Sequence, residues 1–429
     1  MNEENRPLKD KQGQFIVDKQ GFSKDLKLQI LNIIYNNGPA TKLGLAKNLD
    51  VNLTTVSKLV NELYFLDKVI ALSGEDLSSG GRKPKLYIID KKIGHIIGVD
   101  VGGYNIRVVI TDIAGNVLNR LKEKNNFSSD GALLTERVAA LISQVKNNVD
   151  IDDSTLFGIG MSISGVIDYN EGRSIYCPNI GGLNDFPVKS FMEAKMGLPV
   201  FVDDSVRCMA IAEKHFGAAK GYENFLFVSL GKGIGVGIYV NGKVYRSSTG
   251  LSGELGHITV AEDGPLCNCG NRGCLEAIAS GPGIIRRAQE GIESGIITSL
   301  NSIIAGDFEK LTVEMIAEAA KQGDKFAYHI INRTGEYIGI AISAALNLFG
   351  SELVVLGGGI AGSGDIMTEA IKRTVQLRAL GVISSRVKIV ESSLDEFIAA
   401  RGAAAKFINM LFADSKYNLL KNREKVLDY

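Results

Sequence analysis

The chain has 429 residues, 45% of them hydrophobic, which is too long for one core and predicts two or three domains. Its 48 basic and 48 acidic side chains balance, so a general polyanion binder is excluded and any nucleic-acid contact must come from a local patch. The polar N-terminus, the lack of a long apolar run and the low count of five cysteines argue against a membrane or secreted protein. We therefore expect a cytoplasmic one.

The first ninety residues predict a winged helix-turn-helix domain. Apolar residues recur at helical spacing in three segments: Leu26, Ile30, Leu31 and Ile34; Leu43, Leu45 and Leu49; Val56, Leu59, Val60 and Leu63. Gly38-Pro39 ends the first helix, and a turn at residues 50–52 precedes the third. Residues 68–90 then read as two β-prone runs around a basic, glycine-rich tip, which is typical of a wing.

Polar residues outside this apolar pattern indicate contact with DNA. On the third helix and at the wing tip they are Thr54, Thr55, Ser57, Lys58, Asn61, Arg82 and Lys83. Residues 1–90 carry 13 basic and 11 acidic side chains, so the domain is barely basic. The alternative is a three-helix module that binds protein. Helix spacing, polar face and basic tip together favour DNA.

From residue 91 the pattern changes to an α/β protein with two similar halves. Residues 96–118 read as strand, glycine turn, strand and turn, and residues 225–245 repeat this plan. A third glycine-rich loop, at 353–364, follows another buried strand. Such loops suit phosphates, although glycine also serves ordinary hairpins. We expect domains at 1–90, 91–216 and 217–429, with the helix from about residue 395 packing back on the first lobe.

Residues 257–274 carry the pattern of a metal site. His257 precedes Cys267, Cys269 and Cys274, which together make a Cys3His set with no vacant coordination position. This set predicts structural zinc, and Gly270 and Gly273 allow the loop to fold tightly around the metal. The alternative is three free thiols in a glycine-rich loop.

Four motifs carry a resemblance to a known family: GVDVGG (98–103), PNIGGL (178–183), GELGH (253–257) and CNCGNRGCLE (267–276), of which the last two together, at this spacing, are highly specific. Through them, residues 26–405 resemble the ROK family of repressors, uncharacterised frames and sugar kinases, in its repressor form. The resemblance implies an actin-like (ribonuclease-H-like), duplicated ATPase fold with a sugar cleft between two lobes, and it also points to zinc. It implies that Asn179, Glu254, His257 and Glu276 contact the sugar, a task for which carboxylates and amides are suited.

The resemblance also locates the catalytic base of the family's kinases, which lies in a pattern like PVxVENDAN. Residues 199–207 read PVFVDDSVR, so Asp204 and Ser205, both expected at the sugar, occupy the Asn and catalytic Asp positions. A serine hydroxyl is too weakly basic for this role, and Asp204 would point away on an extended strand. Tyr104 and Lys232 also replace threonines of the two phosphate loops.

These observations predict a repressor of carbohydrate-utilisation genes without enzymatic activity, released from operator DNA by a sugar or sugar phosphate. We expect a homodimer or homotetramer, because one barely basic winged helix offers few phosphate contacts. The alternative is an active sugar kinase that also binds DNA.

Overall fold

The computed structural model describes residues 19–75, 84–126, 130–247 and 250–413. Contacts divide the chain into two units. The first comprises Met1–Met161, Pro187–Val202 and Ala403–Tyr429, and the second comprises Ser162–Phe186 and Asp203–Gly402. The chain therefore passes from one unit to the other four times.

The first unit begins with three helices and a two-stranded wing. Their bounds are α1 Lys19–Asn37, α2 Lys42–Leu49, α3 Leu53–Asn61, β1 Ile70–Glu75 and β2 Lys85–Ile89. Thr41 caps α2 by accepting a hydrogen bond from the Gly44 amide, and Asn52 caps α3 in the same way through the Thr55 amide. β1 and β2 pair antiparallel. The predicted winged helix-turn-helix is thus confirmed.

The predicted apolar residues of these helices are buried except for Leu43 and Leu49 on α2, of which Leu49 is partly buried. The stripes predicted on α1 and α3 are buried throughout, whereas Leu43 on α2 is 53% exposed. Leu43 lies next to the N-cap, and the buried positions on this short helix are Leu45 and Ala46. A helix of eight residues is too short for the spacing of its apolar residues to predict which leucine is buried.

The core of the winged helix is shared with the last helix of the chain, α14 (Ile398–Ala413). Phe407, Ile408, Leu411 and Phe412 belong to the same hydrophobic cluster as the buried residues of α1 and α3. The rings of Tyr35 and Phe412 lie with their centroids 5.5 Å apart. Burying aromatic side chains of this size is a large part of what holds such a small module together.

Each unit contains a five-stranded sheet. In the first unit the strands are β3 His95–Val101, β4 Asn105–Asp112, β5 Val117–Lys124, β6 Leu156–Ile163 and β9 Val200–Asp204, in the order β5-β4-β3-β6-β9. The short hairpin β7 Val166–Asp168 and β8 Arg173–Tyr176 belongs to the second unit. The helices α4 Gly131–Asn147 and α5 Val188–Met196 complete the first unit.

The sheet of the second unit repeats this order. Its strands are β10 Phe225–Leu230, β11 Ile234–Val240, β12 Lys243–Val244, β13 Leu353–Gly357 and β14 Lys388–Glu391, in the order β12-β11-β10-β13-β14. The first three form an antiparallel meander, and β13 and β14 join in parallel. Because strands at equivalent positions come in the same chain order, the duplication predicted from the two glycine-turn segments is confirmed.

Helices pack on the second sheet and form a large hydrophobic core with it. They are α7 Leu275–Ala279, α8 Gly281–Glu293, α9 Leu300–Ile304, α10 Val313–Lys321, α11 Lys325–Phe349, α12 Asp365–Arg378 and α13 Gly381–Ser384. Helix α6 Ser205–Phe216 packs on β10 and β11 without contributing to this core. Within the described ranges, none of the helices combines the length and the apolar character needed to cross a bilayer.

Candidate functional site

The predicted Cys3His residues converge in one loop of the second unit. The candidate ligand atoms of His257, Cys267, Cys269 and Cys274 all lie within 4.8 Å of one another. Two of the distances between them are 3.7 Å, from Cys267 Sγ to His257 Nδ1 and from Cys269 Sγ to Cys274 Sγ. The cysteines are free thiols rather than disulfides. This cluster is able to hold a metal ion.

Glycines give the loop its shape. Gly270 and Gly273 have φ values of +93° and +69°, which L side chains rarely adopt. A side chain at Gly273 would also collide with the carbonyl oxygen of Ala261, which lies across the loop. The Gly273 carbonyl accepts a hydrogen bond from the Val260 amide and thereby places Cys274 opposite Thr259. The close approach of the two loop strands is what brings the sulfurs together.

The two ring nitrogens of His257 face different neighbours. Nδ1 points to the cysteine cluster, whereas Nε2 lies 4.0 Å from Oε2 of Glu254. His257 ends a 3-10 turn whose first residue, Leu255, is buried and follows Glu254 directly. One imidazole therefore links the sulfur cluster to a carboxylate that is 55% exposed.

Glu276 lies beside the same turn. A side chain at Gly256 would meet Glu276 Cβ at 3.2 Å, so Glu276 packs against the residue that precedes His257. Its Oε2 accepts a hydrogen bond of 2.9 Å from the Ile234 amide at the start of β11. This bond joins the end of the cysteine loop, where α7 begins, to the second glycine loop.

Asp204 and Ser205 lie where β9 ends and α6 begins. Asp204 is the last residue of the extended strand β9, as expected, and also the N-cap of α6, whereas Ser205 is the first residue of α6 and does not lie on the strand. Asp204 Oδ1 accepts hydrogen bonds from the Val206 and Arg207 amides at 2.9 and 3.1 Å. Burial, with smaller contributions from Asp203 and Glu254, raises the pKa of Asp204 to about 6 against the opposing effect of Arg207. Asp204 and Glu254 are therefore electrostatic neighbours.

Asn179 is connected to this corner through its own turn. The Ser164 hydroxyl lies 3.4 Å from Ser205 Oγ, and Gly165 packs against Cys177, two residues before Asn179. Burial raises the pKa of the Cys177 thiol to about 11, and the Asp204 carboxylate contributes to this increase. Asn179 itself is partly exposed and makes no hydrogen bond to the other five predicted sugar residues in the described part of the chain.

A buried ionic group beside Asp204 was missed by the sequence reasoning. Asp203 is fully buried between two arginines: Arg207 Nε donates to Oδ1 at 2.7 Å, and Arg246 donates to Oδ2. Although burial raises the pKa of Asp203, the two guanidiniums hold it below its ordinary value. Arg246 also stacks over the Tyr169 ring, 5.2 Å from its centroid. The pair Asp203 and Arg207 could have been found from its i, i+4 spacing, but Arg246 is 43 residues from Asp203.

In the first unit, a second ion pair joins β3 and β4, the two strands that flank the predicted phosphate loop. Arg107 Nη1 donates to Oδ2 of the buried Asp100 at 3.1 Å, and the two residues are opposite each other in the β3–β4 register. Tyr104, in the loop itself, is 63% exposed. The carboxylate that the resemblance assigns to the phosphate loop is thus already paired with a cation.

The polar face predicted on α3 is accessible. Thr54, Lys58 and Asn61 are exposed, and Thr55 and Ser57 are partly exposed. Asn61 Oδ1 also accepts a hydrogen bond of 2.7 Å from Lys42 Nζ on α2. Arg82 and Lys83, predicted at the wing tip, lie outside the described residues.

Comparison with known proteins gives the same fold and family. The chain is 30% identical to the xylose repressor of Bacillus subtilis over 397 residues, which are 92% of this chain and 97% of that protein. It is 36% identical to the glucokinase of Halalkalibacterium halodurans over 288 residues, 66% of this chain and 86% of the kinase. A crystal structure of a ROK family transcriptional regulator, described as a homolog of the E. coli MLC protein, matches with a TM-score of 0.79 and 26% identity. That match covers 95% of this chain and 100% of the other. Residues 96–409 match the ROK family model, and the chain therefore belongs to the ROK family.

Proposed function

We propose that the protein is a sugar-responsive transcriptional repressor that binds operator DNA through its winged helix and releases it when a sugar binds to the second unit. The observation that carries this proposal is the extent of the match. The similarity to a xylose repressor covers 92% of the chain, and the similarity to a glucokinase covers 66%. A winged helix in front of a kinase-like region is an arrangement that a metabolic kinase does not need.

Zinc is the metal that best fits the Cys3His cluster. Around a tetrahedral zinc with Zn–S bonds of about 2.3 Å, neighbouring sulfurs are about 3.8 Å apart. The separation of 3.7 Å between Cys269 Sγ and Cys274 Sγ matches this value. Three thiolates and one imidazole leave no open position, so the ion would hold the loop and would not act on a substrate. It would orient His257 through Nδ1 and leave Nε2 on the side of Glu254.

The sugar would bind near the corner formed by Asp204, Ser205, Glu254, His257 and Glu276, with Asn179 supplying an amide from the neighbouring turn. Carboxylates accept pairs of hydrogen bonds from adjacent hydroxyls, and the serine and amide groups both donate and accept. Arg207 and Arg246 both pair with Asp203 and so support the corner. This chemistry suits the hydroxyl groups of a sugar.

Catalysis is disfavoured by three features. Ser205 occupies the position that the resemblance assigns to the catalytic aspartate, and one carboxylate oxygen of Asp204 is already engaged as the N-cap of α6. Asp100 is paired with Arg107, so its carboxylate is less available to organise a metal and phosphate. The alternative function is an active sugar kinase that binds DNA, and such a protein would have to phosphorylate sugar despite all three features.

On DNA we propose that α3 enters the major groove with Thr54, Thr55, Ser57, Lys58 and Asn61 and that Arg82 and Lys83 contact the backbone. A homodimer or homotetramer would place two such helices on a pseudo-palindromic operator, because dimerisation raises the effective concentration of the second helix.

The test is a titration of labelled operator DNA with and without candidate sugars: xylose, glucose and N-acetylglucosamine. One of these sugars is expected to lower operator affinity about five-fold or more, and no sugar is expected to be phosphorylated in a coupled assay of ADP release. If none of a broad sugar panel changes operator affinity, the repressor proposal fails. Phosphorylation that disappears in Asp204→Ala would instead establish the kinase alternative.

A further inference from the structure

A cavity of about 760 Å³ lies in the second unit between the cysteine loop and two helices. Residues 261–265 of the loop form one wall, and α8 and α11 form the others. None of the proposed sugar or metal residues is part of its lining. The volume falls within the range of about 300–1,000 Å³ that is usual for small-molecule sites.

Three arginines line this cavity: Arg286 and Arg287 from α8 and Arg333 from α11. Two of them have carboxylate partners, since Arg286 Nε lies 3.5 Å from Glu290 and Arg333 Nη1 lies 2.7 Å from Glu336. Within the described chain, no carboxylate pairs with Arg287. Its Nη2 donates to the Thr334 hydroxyl, while its Nε is inaccessible to solvent and has no hydrogen-bond partner in the described residues.

The electrostatics of Arg287 are unfavourable without a ligand. Burial lowers the pKa of its guanidinium to about 10; Arg286 and Arg333 add to this shift, and Tyr337 and Glu290 oppose it. The three acidic residues in the lining, Glu262, Asp263 and Glu290, are all exposed and therefore solvated. A buried, uncompensated cation next to two others is an arrangement that a bound anion would stabilise.

We propose that this cavity is a second ligand site that binds a small phosphorylated molecule, with the phosphate group held by Arg287. A guanidinium donates strong, charge-assisted hydrogen bonds to phosphate oxygens, and the adjacent Arg286 and Arg333 supply further charge. The Tyr337 ring, over which Arg333 stacks at 4.7 Å, and Phe326 provide apolar walls for the rest of the molecule. The site is independent of the proposed sugar site and does not rest on the repressor function.

The probe for this site is inorganic phosphate. At constant ionic strength, about 20 mM phosphate is expected to raise the unfolding temperature of the full-length protein by about 2 °C or more in a saturable manner. Arg287→Gln is expected to lose this response. Arg378→Gln, which removes an exposed arginine from α12, keeps it and serves as the matched control. A response that does not saturate, or that is equal in the two variants, overturns the proposal.

Two further measurements separate ligand binding from a structural role. Without phosphate, Arg287→Gln is expected to be at least as stable as the wild type, because it removes a buried charge that has no carboxylate partner. If it is clearly less stable, Arg287 is a structural residue and the proposal fails. Citrate is added in parallel, and a saturable, Arg287-dependent response to citrate with none to phosphate overturns the assignment to phosphate. If Arg287→Gln does not fold, loss of the phosphate response in Arg333→Gln tests the same site.

Discussion

Asp204 shows how the surroundings of one residue bear on the chemical role that its sequence position suggests. Its position one residue before Ser205 makes it the obvious substitute for the missing catalytic aspartate. In the structure its carboxylate is the N-cap of α6 and lies close to Asp203 and Glu254. Two amides hold Oδ1 of this carboxylate, so Oδ2 is the oxygen left to take a proton, and turning Oδ1 away would leave both amides unsatisfied.

The raised pKa of Asp204 leads to a stability prediction. Because the folded-state pKa of about 6 is above the ordinary value of 3.8, the folded protein binds the proton more tightly than the unfolded chain. Asp204 therefore costs stability as the pH rises through this interval, and the cost is fully present above about pH 6. Asn caps a helix as well as Asp but carries no charge. We expect Asp204→Asn to be more stable than the wild type by about 1–2 kcal/mol at pH 8, since partial exposure reduces the full effect.

This difference should shrink toward pH 4, where the wild-type carboxyl is protonated as well. Urea unfolding at pH 4.5 and pH 8 measures it, with Asp130→Asn, the exposed N-cap of α4, as the matched control that is expected to change little. A less stable Asp204→Asn at pH 8 would mean that the ionised carboxylate is favourable in the folded protein.

Among the elements, the cysteine loop was the most predictable from sequence and the ion pairs the least. The spacing of the four candidate ligands and the two glycines were sufficient to predict the loop, because all of these residues lie within 18 positions of the sequence. The helical spacing of apolar residues correctly predicted the buried faces of α1 and α3. The pairing of Asp100 with Arg107 depends on strand register, and that of Asp203 with Arg246 on the return of the chain after 43 residues. Neither relation is visible in local periodicity.

The cysteine loop supports a prediction about metal removal. We expect the purified protein to contain about one equivalent of zinc per chain, and Cys269→Ser to lose most of it, because serine is a poor zinc ligand. Without the metal, His257 loses its partner at Nδ1 and the turn that carries Glu254 is no longer held, so the response to sugar should disappear too.

Elemental analysis after chelator washing and a sugar titration of operator binding check this expectation. Cys208→Ala, which removes a buried cysteine from α6 and leaves the cluster intact, is the control. Retention of zinc and of the sugar response in Cys269→Ser would contradict the assigned ligand set.

Helix α3 supports a prediction about DNA. Lys58 is exposed on the same face as Thr54, one turn before it, and Asn61, one turn after it. Lys58→Ala should weaken operator binding and lower the salt dependence of affinity by about one phosphate contact per subunit. Filter binding or fluorescence anisotropy at several salt concentrations measures both. Lys310→Ala removes an exposed lysine from the second unit and should change neither. An unchanged salt slope in Lys58→Ala would exclude this face of α3 from the phosphate backbone.

At the scale of the whole molecule, the residues proposed for sugar and those proposed for DNA belong to different units. The five residues proposed to read DNA from α3 are in the first unit, whereas all six proposed sugar residues are in the second. The chain passes between the units four times, once within α14, whose last residues pack in the core of the winged helix. The residues proposed to contact DNA and those proposed to contact sugar therefore lie on one continuous chain, but no residue belongs to both sets.

Sugar and operator can then influence each other only through states of the protein that they bind with different affinity. Such coupling is reciprocal, so operator DNA must weaken sugar binding by the same factor by which sugar weakens operator binding, typically about 1–3 kcal/mol. We expect both titrations of the wild type to give one coupling energy. In Glu254→Gln, which removes the charge next to His257 Nε2, operator affinity without sugar should be unchanged, while sugar binding and its effect on DNA are lost. Calorimetric titration of sugar into free and operator-bound protein, compared with operator titrations at saturating sugar, measures both sides of the cycle. If the two factors differ, the sugar acts at more than one site. If sugar tightens operator binding, the protein is a co-repressed regulator or an activator, and the direction proposed here is wrong.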